Sequence, residues 1–593
     1  MINTNLRRTG RARAACPRAT RLLALIGSLA LSFSAPAGAP HRSYIVQGIT
    51  AEAAAHAVED AGGQVLSPLP LIDAVGAELE TGEVARLRRD PGVRLYTDRT
   101  VGTEATTSLS GLLNTLVDSY SGSVSLTSGT SPQVANFLYE PDYSMLVGAD
   151  LLHTAGTTGK GVTIAVLDSG LWQSPTDNWA ARVLASVDFI GSANGASLSG
   201  DASGHGTHVT AIAASGQRNL AGDYYGIAPA ANVIVARAFQ ANGSASYLDV
   251  IKALNWIVAN RKTYNIRVLN LSFGAPPQSY YWDDPLNQAV MKAWQAGIVV
   301  VTSAGNSGPA AMTIGVPGNV PYVITAGALT DNYTPYDATD DRLASFSSTG
   351  PTFEGFVKPE VVAPGGHMVA TMPSNAYIVN LFSAQMAPFQ TLFTMSGTSQ
   401  AAAVTTGVVA LMLQSEPTLS PDQVKCKLMA AARPAVTSTG KLAYSVFQQG
   451  AGLINAVSAI NSAASGCANA GLNVAADLAG TAHFGGPANR DANGNYYVMN
   501  MQGKTWGQPV SGDGYTWSRG YTWSQGFTWS QGYTWSQGYT WSQGYTWSRS
   551  AWSQGYTWSQ GYTWSQSLGW VPGSFTTQGL AQPMSVDPWV SQE

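Results

Sequence analysis

From Gly161 onward the apolar positions come in short unbroken runs rather than in alternation. Val162-Thr163-Ile164-Ala165-Val166-Leu167 is followed by Asn232-Val233-Ile234-Val235-Ala236, Arg267-Val268-Leu269-Asn270-Leu271, Ile298-Val299-Val300-Val301 and Tyr322-Val323-Ile324-Thr325. Runs of this kind, spaced by helix-length segments, predict strands covered on both faces: an α/β fold with a parallel sheet flanked by helices. Upstream the pattern differs. Tyr44-Ile45-Val46 predicts a short strand and 50–61 a helix stopped by Gly62-Gly63. Two strand-like stretches follow over 71–79, a second helix starts near Thr81 and ends before Pro91, and Val93-Arg94-Leu95-Tyr96 predicts a last strand. The order β-α-β-β-α-β over 41–102 predicts a small ferredoxin-like α+β unit. Residues 103–140, rich in Ser, Thr and Gly, predict a loose connector suited to cutting. The earliest apolar run, Leu22 to Phe33, follows six Arg and no acid and precedes Ala35-Pro36-Ala37-Gly38-Ala39. This is the pattern of a secretory signal over 1–39, cut after Ala37 or Ala39. At about a dozen residues the run is shorter than the ~20 of a membrane span. No later segment is long and apolar enough to span a bilayer, so the expected product is exported.

Composition narrows the classes. Charged residues are 11% of the 593 and the formal net charge is −4, against about 25% charged in an average soluble protein. That is too uncharged for a solvated disordered chain, and no basic stripe exists to follow a nucleic-acid backbone, so no nucleic-acid partner is expected. Three cysteines exclude a thiol-based or zinc-cysteine scaffold. Cys16 leaves with the signal, so Cys426 and Cys467 remain, either bridged or as two buried thiols. Residues 41–140 carry twelve acids and six bases. A detachable acidic unit ahead of a slow-folding parallel sheet reads as a folding template and inhibitor, or equally as an ordinary structural domain.

Three residues have the types and settings for nucleophilic catalysis. Asp168 ends the first strand of the parallel region, where ligands gather in such sheets; alone it would read as a strand-end cap. His205 lies in Gly204-His205-Gly206-Thr207-His208-Val209, with a glycine on each side to let a ligand approach the ring. Ser399 lies in Ser396-Gly397-Thr398-Ser399-Gln400-Ala401 ahead of an apolar helix, whose N-terminal N–H groups could stabilise an oxyanion. A serine hydroxyl needs a base to take its proton and a carboxylate to hold that base. The chain order Asp, His, Ser differs from that of α/β-hydrolases and of chymotrypsin, and the serine motif lacks the second glycine of a nucleophile elbow.

These segments resemble the subtilisin-like serine proteases. The matches are Ile164 to Gly170, Gly204 to Val209, Leu269-Asn270-Leu271-Ser272-Phe273-Gly274, Ser303-Ala304-Gly305-Asn306-Ser307-Gly308, Gly397-Thr398-Ser399 and Gly450 to Ala456. The resemblance spans 141–465, with 41–102 resembling the inhibitory propeptide. It implies that Asp168, His205 and Ser399 form the triad and that Asn306 is the side-chain oxyanion donor. Ser272, Phe273 and Gly274 would offer an edge to an extended peptide, and Ser303, Ala304 and Gly305 would wall the main specificity pocket. With small walls and no acid nearby, apolar or aromatic substrate side chains are expected. His208 is expected to be structural. The chain departs from the family pattern at Gln400-Ala401-Ala402-Ala403-Val404, where Gln400 replaces an oxidation-prone thioether, and at Thr210-Ala211. The stretch from Gly366 to Thr394, with Phe382, Phe389 and Phe393, is longer than the family leads one to expect. The resemblance implies no obligatory cofactor. Calcium sites are frequent in the family, but the Asp331, Asp337, Asp340, Asp341 loop and the Asp491, Asn493, Asn495 run each lack a complete ligand pattern and read as solvated turns.

After an extension over 466–514, residues 515–570 repeat Gly-Tyr-Thr-Trp-Ser-Gln at a period of six, followed by a tail over 571–593. Ten of the seventeen Trp fall in the repeat. An extended chain would line Tyr, Trp and Gln on one side. Three readings stay open: stacking on a glycan, docking to a cell surface or to itself, and a low-complexity tail removed in maturation. The leading expectation is a secreted serine endopeptidase made as an autoinhibited precursor, with protein substrates and its own propeptide as partners. The alternative class is a surface adhesin on an inert protease-like scaffold.

Overall fold

The computed structural model describes residues 42–103, 141–191, 195–219, 222–387, 391–437, 442–490 and 495–499, with short strands at 505–506 and 584–585. The expected signal, residues 104–140 of the connector, Phe389, Asp491, Asn493 and the aromatic repeat lie outside the described residues.

The first element, β1 (Arg42–Gln47), is followed by α1 (Ala51–Asp60), β2 (Gln64–Leu69), β3 (Ala74–Leu79), α2 (Thr81–Leu87) and β4 (Arg94–Thr97). Thr50 caps α1 through its hydroxyl on Ala53 N–H, and Glu80 with Glu83 forms a capping box on α2. The strands pair antiparallel in the order β2-β3-β1-β4, and Val46, Ala54, Val58, Val75, Leu79 and Leu87 close a small core beneath them. This is the α+β unit expected from the pattern. It then continues into β5 (Thr100–Thr103), which leaves its own sheet.

The larger unit begins its sheet with β6 (Thr163–Asp168), β7 (Val183–Asp188) and β8 (Ala196–Ser197), then α3 (His205–Ala214), β9 (Asn232–Arg237) and β10 (Ser244–Ser246). Next come α4 (Tyr247–Asn260), β11 (Ile266–Leu271), β12 (Phe273–Gly274), α5 (Pro285–Gln295), β13 (Val299–Ser303), β14 (Ile324–Thr330), β15 (Arg342–Leu343) and β16 (Val361–Pro364). A hairpin of β17 (Met368–Thr371) and β18 (Leu392–Met395) contains the short helix α6 (Tyr377–Leu381) and leads into α7 (Thr398–Ser415) and α8 (Pro421–Ala430). The main sheet runs β15-β14-β13-β11-β6-β9-β7-β8, with β16 also on β14; all its pairs are parallel except those of β8 and β15. Residues 398–413 of α7 and all of α3 are buried, as expected of helices apolar on every side. Gly407 is where the backbones come close, since a Cβ there would meet the Ile227 side chain and Ala213 O.

Two buried polar hubs tie down the far end. Lys425 Nζ donates to the carbonyls of Pro321, Tyr322 and Val323 at 2.8, 3.2 and 3.1 Å. Lys425 and Lys358 share Glu360 Oε1 at 2.8 and 2.7 Å. Burial pushes the Lys358 ammonium down to about 7 against the pull of Glu360. In the second hub, Asp477 of the extension accepts from the hydroxyls of Tyr281 (2.5 Å) and Tyr322 (3.0 Å), and His483 Nδ1 lies 2.6 Å from its carboxylate. Cys426 and Cys467 are bridged, fastening the extension to α8.

Candidate active site

Asp168 closes β6 and is buried at the carboxyl end of the sheet. Its Oδ1 accepts from Ser169 N–H at 2.8 Å and Ser169 Oγ at 3.2 Å, and the Ser169 hydroxyl oxygen in turn accepts from Gly206 N–H at 2.9 Å. His205 opens α3, and its Nδ1 lies 2.8 and 3.0 Å from the two Asp168 oxygens. A carboxylate on Nδ1 fixes the tautomer in which Nε2 can take a proton. Glycine at 206 is required: a Cβ there would stand 2.4 Å from Gly170 O and 3.1 Å from Asp168 Oδ1. Asp201 anchors the helix start, accepting from Thr207 N–H and Thr207 Oγ1 at 2.8 Å each, where an anion meets the positive end of the helix.

Ser399 lies in the first turn of α7, so its N–H is among the donors that helix geometry leaves without an intrahelical acceptor. Its hydroxyl donates to Ser272 O at 3.2 Å, and Ser272 Oγ returns a bond to Ser399 O at 3.0 Å. Behind them, Thr406 Oγ1 donates to Asn270 Oδ1 (2.9 Å), whose Nδ2 donates to Ser272 Oγ (2.8 Å). Helices α3 and α7 pack together. Gln400 Nε2 lies 3.5 Å from His208 Nδ1, and His208 Nε2 lies 3.1 Å from both Met368 O and Phe393 O. Burial drives His208 down to about 4, so it is a neutral cross-link between α3 and the β17–β18 hairpin.

Asn306 Oδ1 accepts from Thr398 N–H (3.0 Å) and Thr398 Oγ1 (2.9 Å), while Gly305 N–H donates to Thr398 Oγ1 (3.1 Å). With the carbonyl end so held, the amide NH2 is turned toward Gly397; its Nδ2 is 3.3 Å from where a Gly397 Cβ would stand. Asn306 thus comes to the serine turn from a separate strand end. The expected pocket segments also meet, through Ser303 Oγ on Phe273 O at 3.3 Å. The Phe273 ring is turned inward, buried on Phe239 with centroids 4.9 Å apart.

Strand β5 lies between β10 and β12, antiparallel to both, with Thr103 opposite Phe273 and Gly102 opposite Gly274. Continuing that register leads toward Ser272, whose carbonyl accepts the Ser399 hydroxyl. The N-terminal unit is docked by Arg99 on Asp284 (3.2 Å), Asp98 on Leu248 N–H (3.0 Å) and Gln47 on Gln288 (2.7 Å). Leu248 presses so closely on Gly76 that a Cβ there would stand 2.5 Å from it.

The acidic loop is a solvated turn only in part: Asp337 is exposed and Asp340 half-buried, as expected, but its two ends are not. Asp331 and Asp341 are buried; Asp331 pairs with His367 at 2.5 Å, and burial with the Asp331 charge pushes Asp341 up to about 7. Among the described residues, no group of three His, Cys, Asp or Glu side chains is gathered to hold a metal ion. Sequence reasoning quoted Ser169, Asn270 and Thr398 inside motifs but gave them no role. Asp201 carried a signal that could have found it, an acid four residues before His205 at a helix start.

The subtilase family model matches residues 159–452. Serine protease AprX of Bacillus subtilis (strain 168) is 40% identical over 273 residues, covering 45% of this chain and 60% of that protein, so the match spans less than two thirds of AprX. Subtilisin DY of Bacillus licheniformis is 33% identical over 312 residues, covering 52% of this chain and 94% of the relative. Among solved structures, fervidolysin from Fervidobacterium pennivorans, a keratinolytic enzyme related to subtilisin, superposes with a TM-score of 0.54 at 19% identity, covering 79% of this chain and 66% of that one, a likeness of fold. A family match across the main sheet and its helices, with a subtilisin aligned over nearly its whole length, places this chain in the subtilase family of serine endopeptidases.

Proposed function

We propose that this chain is a secreted serine endopeptidase, made as an autoinhibited precursor, in which Asp168, His205 and Ser399 form the catalytic triad. The observation that carries the reading is the buried Asp168–His205 contact on a helix packed against α7, whose first turn holds Ser399. In acylation, the Ser399 oxygen bonds to the substrate carbonyl carbon and its proton passes to His205 Nε2. Asp168 holds the ring and offsets the imidazolium charge. Ser399 N–H and Asn306 Nδ2 donate to the carbonyl oxygen as it becomes anionic. His205 then protonates the leaving nitrogen and the C–N bond breaks; water reverses the sequence to release the acid. The edge 272–274 would bind the substrate backbone, and 303–305 would border the pocket for its main side chain.

Autoinhibition is supported by β5, which fills the lane beside β12 that an extended substrate would use. Export is supported by the leader pattern and by the Cys426–Cys467 bridge. Among the described residues no helix is long and apolar enough to cross a membrane. For the aromatic repeat, retention of residues 515–570 on immobilised glycan would separate a glycan- or surface-binding tail from one that is only removed in maturation.

Expression of Ser399→Ala tests the main reading. The variant should be exported, lose casein hydrolysis and accumulate as the unprocessed chain, whereas the active protein should show a new N-terminus within 104–140. Full hydrolysis by Ser399→Ala would refute the assignment.

A further inference from the structure

The segment between β17 and β18 is held against the histidine side of the site at several points. Met372 fills the space that a Cβ on Gly204, the residue before His205, would need. Helix α6 gives its first two N–H groups to the loop entering His205: Tyr377 to Ala202 O at 2.9 Å and Ile378 to Ser203 O at 3.2 Å. One turn into α3, His208 reaches a carbonyl on each hairpin strand. Ile378 and Val379 turn inward and pack with Met372, Ala376 and Phe393. Tyr377 and Leu381, four residues apart and so on one helical face, stay 38% and 47% exposed. The small core beneath α6 does not need them.

We infer that Tyr377 and Leu381 form an apolar ledge for substrate side chains on the leaving-group side of the scissile bond. The inference rests on the peptidase reading above. Strand β5 marks the acyl side, because it runs between β10 and β12 toward Ser272. The departing half must lie on the other side, across His205: the proton taken from Ser399 Oγ is handed by the imidazole to the amine nitrogen as the C–N bond breaks. A chain leaving over His205 passes the 202–203 loop, where α6 is fixed. The ledge therefore faces the residues that follow the cut bond, and its chemistry selects apolar ones.

The test uses the mature enzyme from full-length expression, with Tyr377→Ser/Leu381→Ser and the milder Leu381→Ala. Two quenched peptides share one acyl side and carry either Leu-Leu or Ser-Ser after the bond; a p-nitroanilide with the same acyl side has no residue there. In the double variant, kcat/KM for the Leu-Leu peptide should fall about tenfold, a typical size for loss of an apolar subsite contact. The Ser-Ser peptide and the p-nitroanilide should stay within about twofold, and Leu381→Ala should fall between. Equal losses on all three substrates would mean that the helix only props the fold, and unchanged Leu-Leu cleavage would mean that the ledge is not used; either overturns the inference. Wild-type enzyme that cleaves none of the three would instead overturn the peptidase reading.

Discussion

Asn306 is held by its carbonyl end, so its amide has one orientation to offer. Removal of a single oxyanion donor typically costs about 2.7–4 kcal/mol of barrier. Asn306→Ala should therefore lower kcat by about 10²–10³ with little change in KM, measured on a p-nitroanilide substrate. His208 makes a different prediction. Its folded value near 4 lies below the ordinary 6.5, so the unfolded chain takes up a proton at a pH where the folded chain does not. Its contribution is full above about pH 6.5 and is lost as pH falls toward 4, a change of about 3 kcal/mol. Urea unfolding of the Ser399→Ala protein should show that slope, and His208→Gln should flatten it. Asp168, His205, Ser399 and Asn306 stood out in the sequence because a glycine lies within two residues of each, marking where backbone must approach closely. Their supports were less legible: Ser169, Asn270 and Thr398 act through contacts with Gly206, Thr406 and Asn306, far off in the chain, which spacing alone does not encode, whereas Asp201 acts locally on Thr207 and had the acid before a helix start as its signal.

Among the elements, the strands with unbroken apolar runs were legible to within a few residues. β7 and β16 were missed for physical reasons. β7 is partly exposed at the margin of the sheet, so Val183 to Asp188 mixes polar and apolar positions, and β16 is four residues long and ends in Pro364. The buried lysines gave no local signal, since Lys358 and Lys425 meet only after β14, β16 and α8 assemble. Glu360 is the anion between them. Glu360→Gln would take away the anion that Lys425 and Lys358 share and should destabilise by about 3–5 kcal/mol, read by urea unfolding in the Ser399→Ala background.

At the scale of the whole molecule, two fastenings set how the parts stay together. The Cys426–Cys467 bridge closes a 41-residue separation, which chain-entropy reasoning equates to about 4 kcal/mol. Reduction of the Ser399→Ala protein should lower its thermal midpoint, and Cys426→Ala/Cys467→Ala should be insensitive to reductant. The N-terminal unit is fastened through Arg99, Asp98 and β5, so Arg99→Ala should weaken inhibition of the mature enzyme by residues 42–103 added in trans. All of this depends on one alcohol being made reactive by one imidazole. The most direct measurement is labelling of the mature enzyme with a serine-directed phosphonate, followed by peptide mass mapping. The account predicts one adduct, on Ser399, forming in step with loss of activity and absent in His205→Ala. An adduct on another residue, or full activity with Ser399 completely labelled, would contradict it.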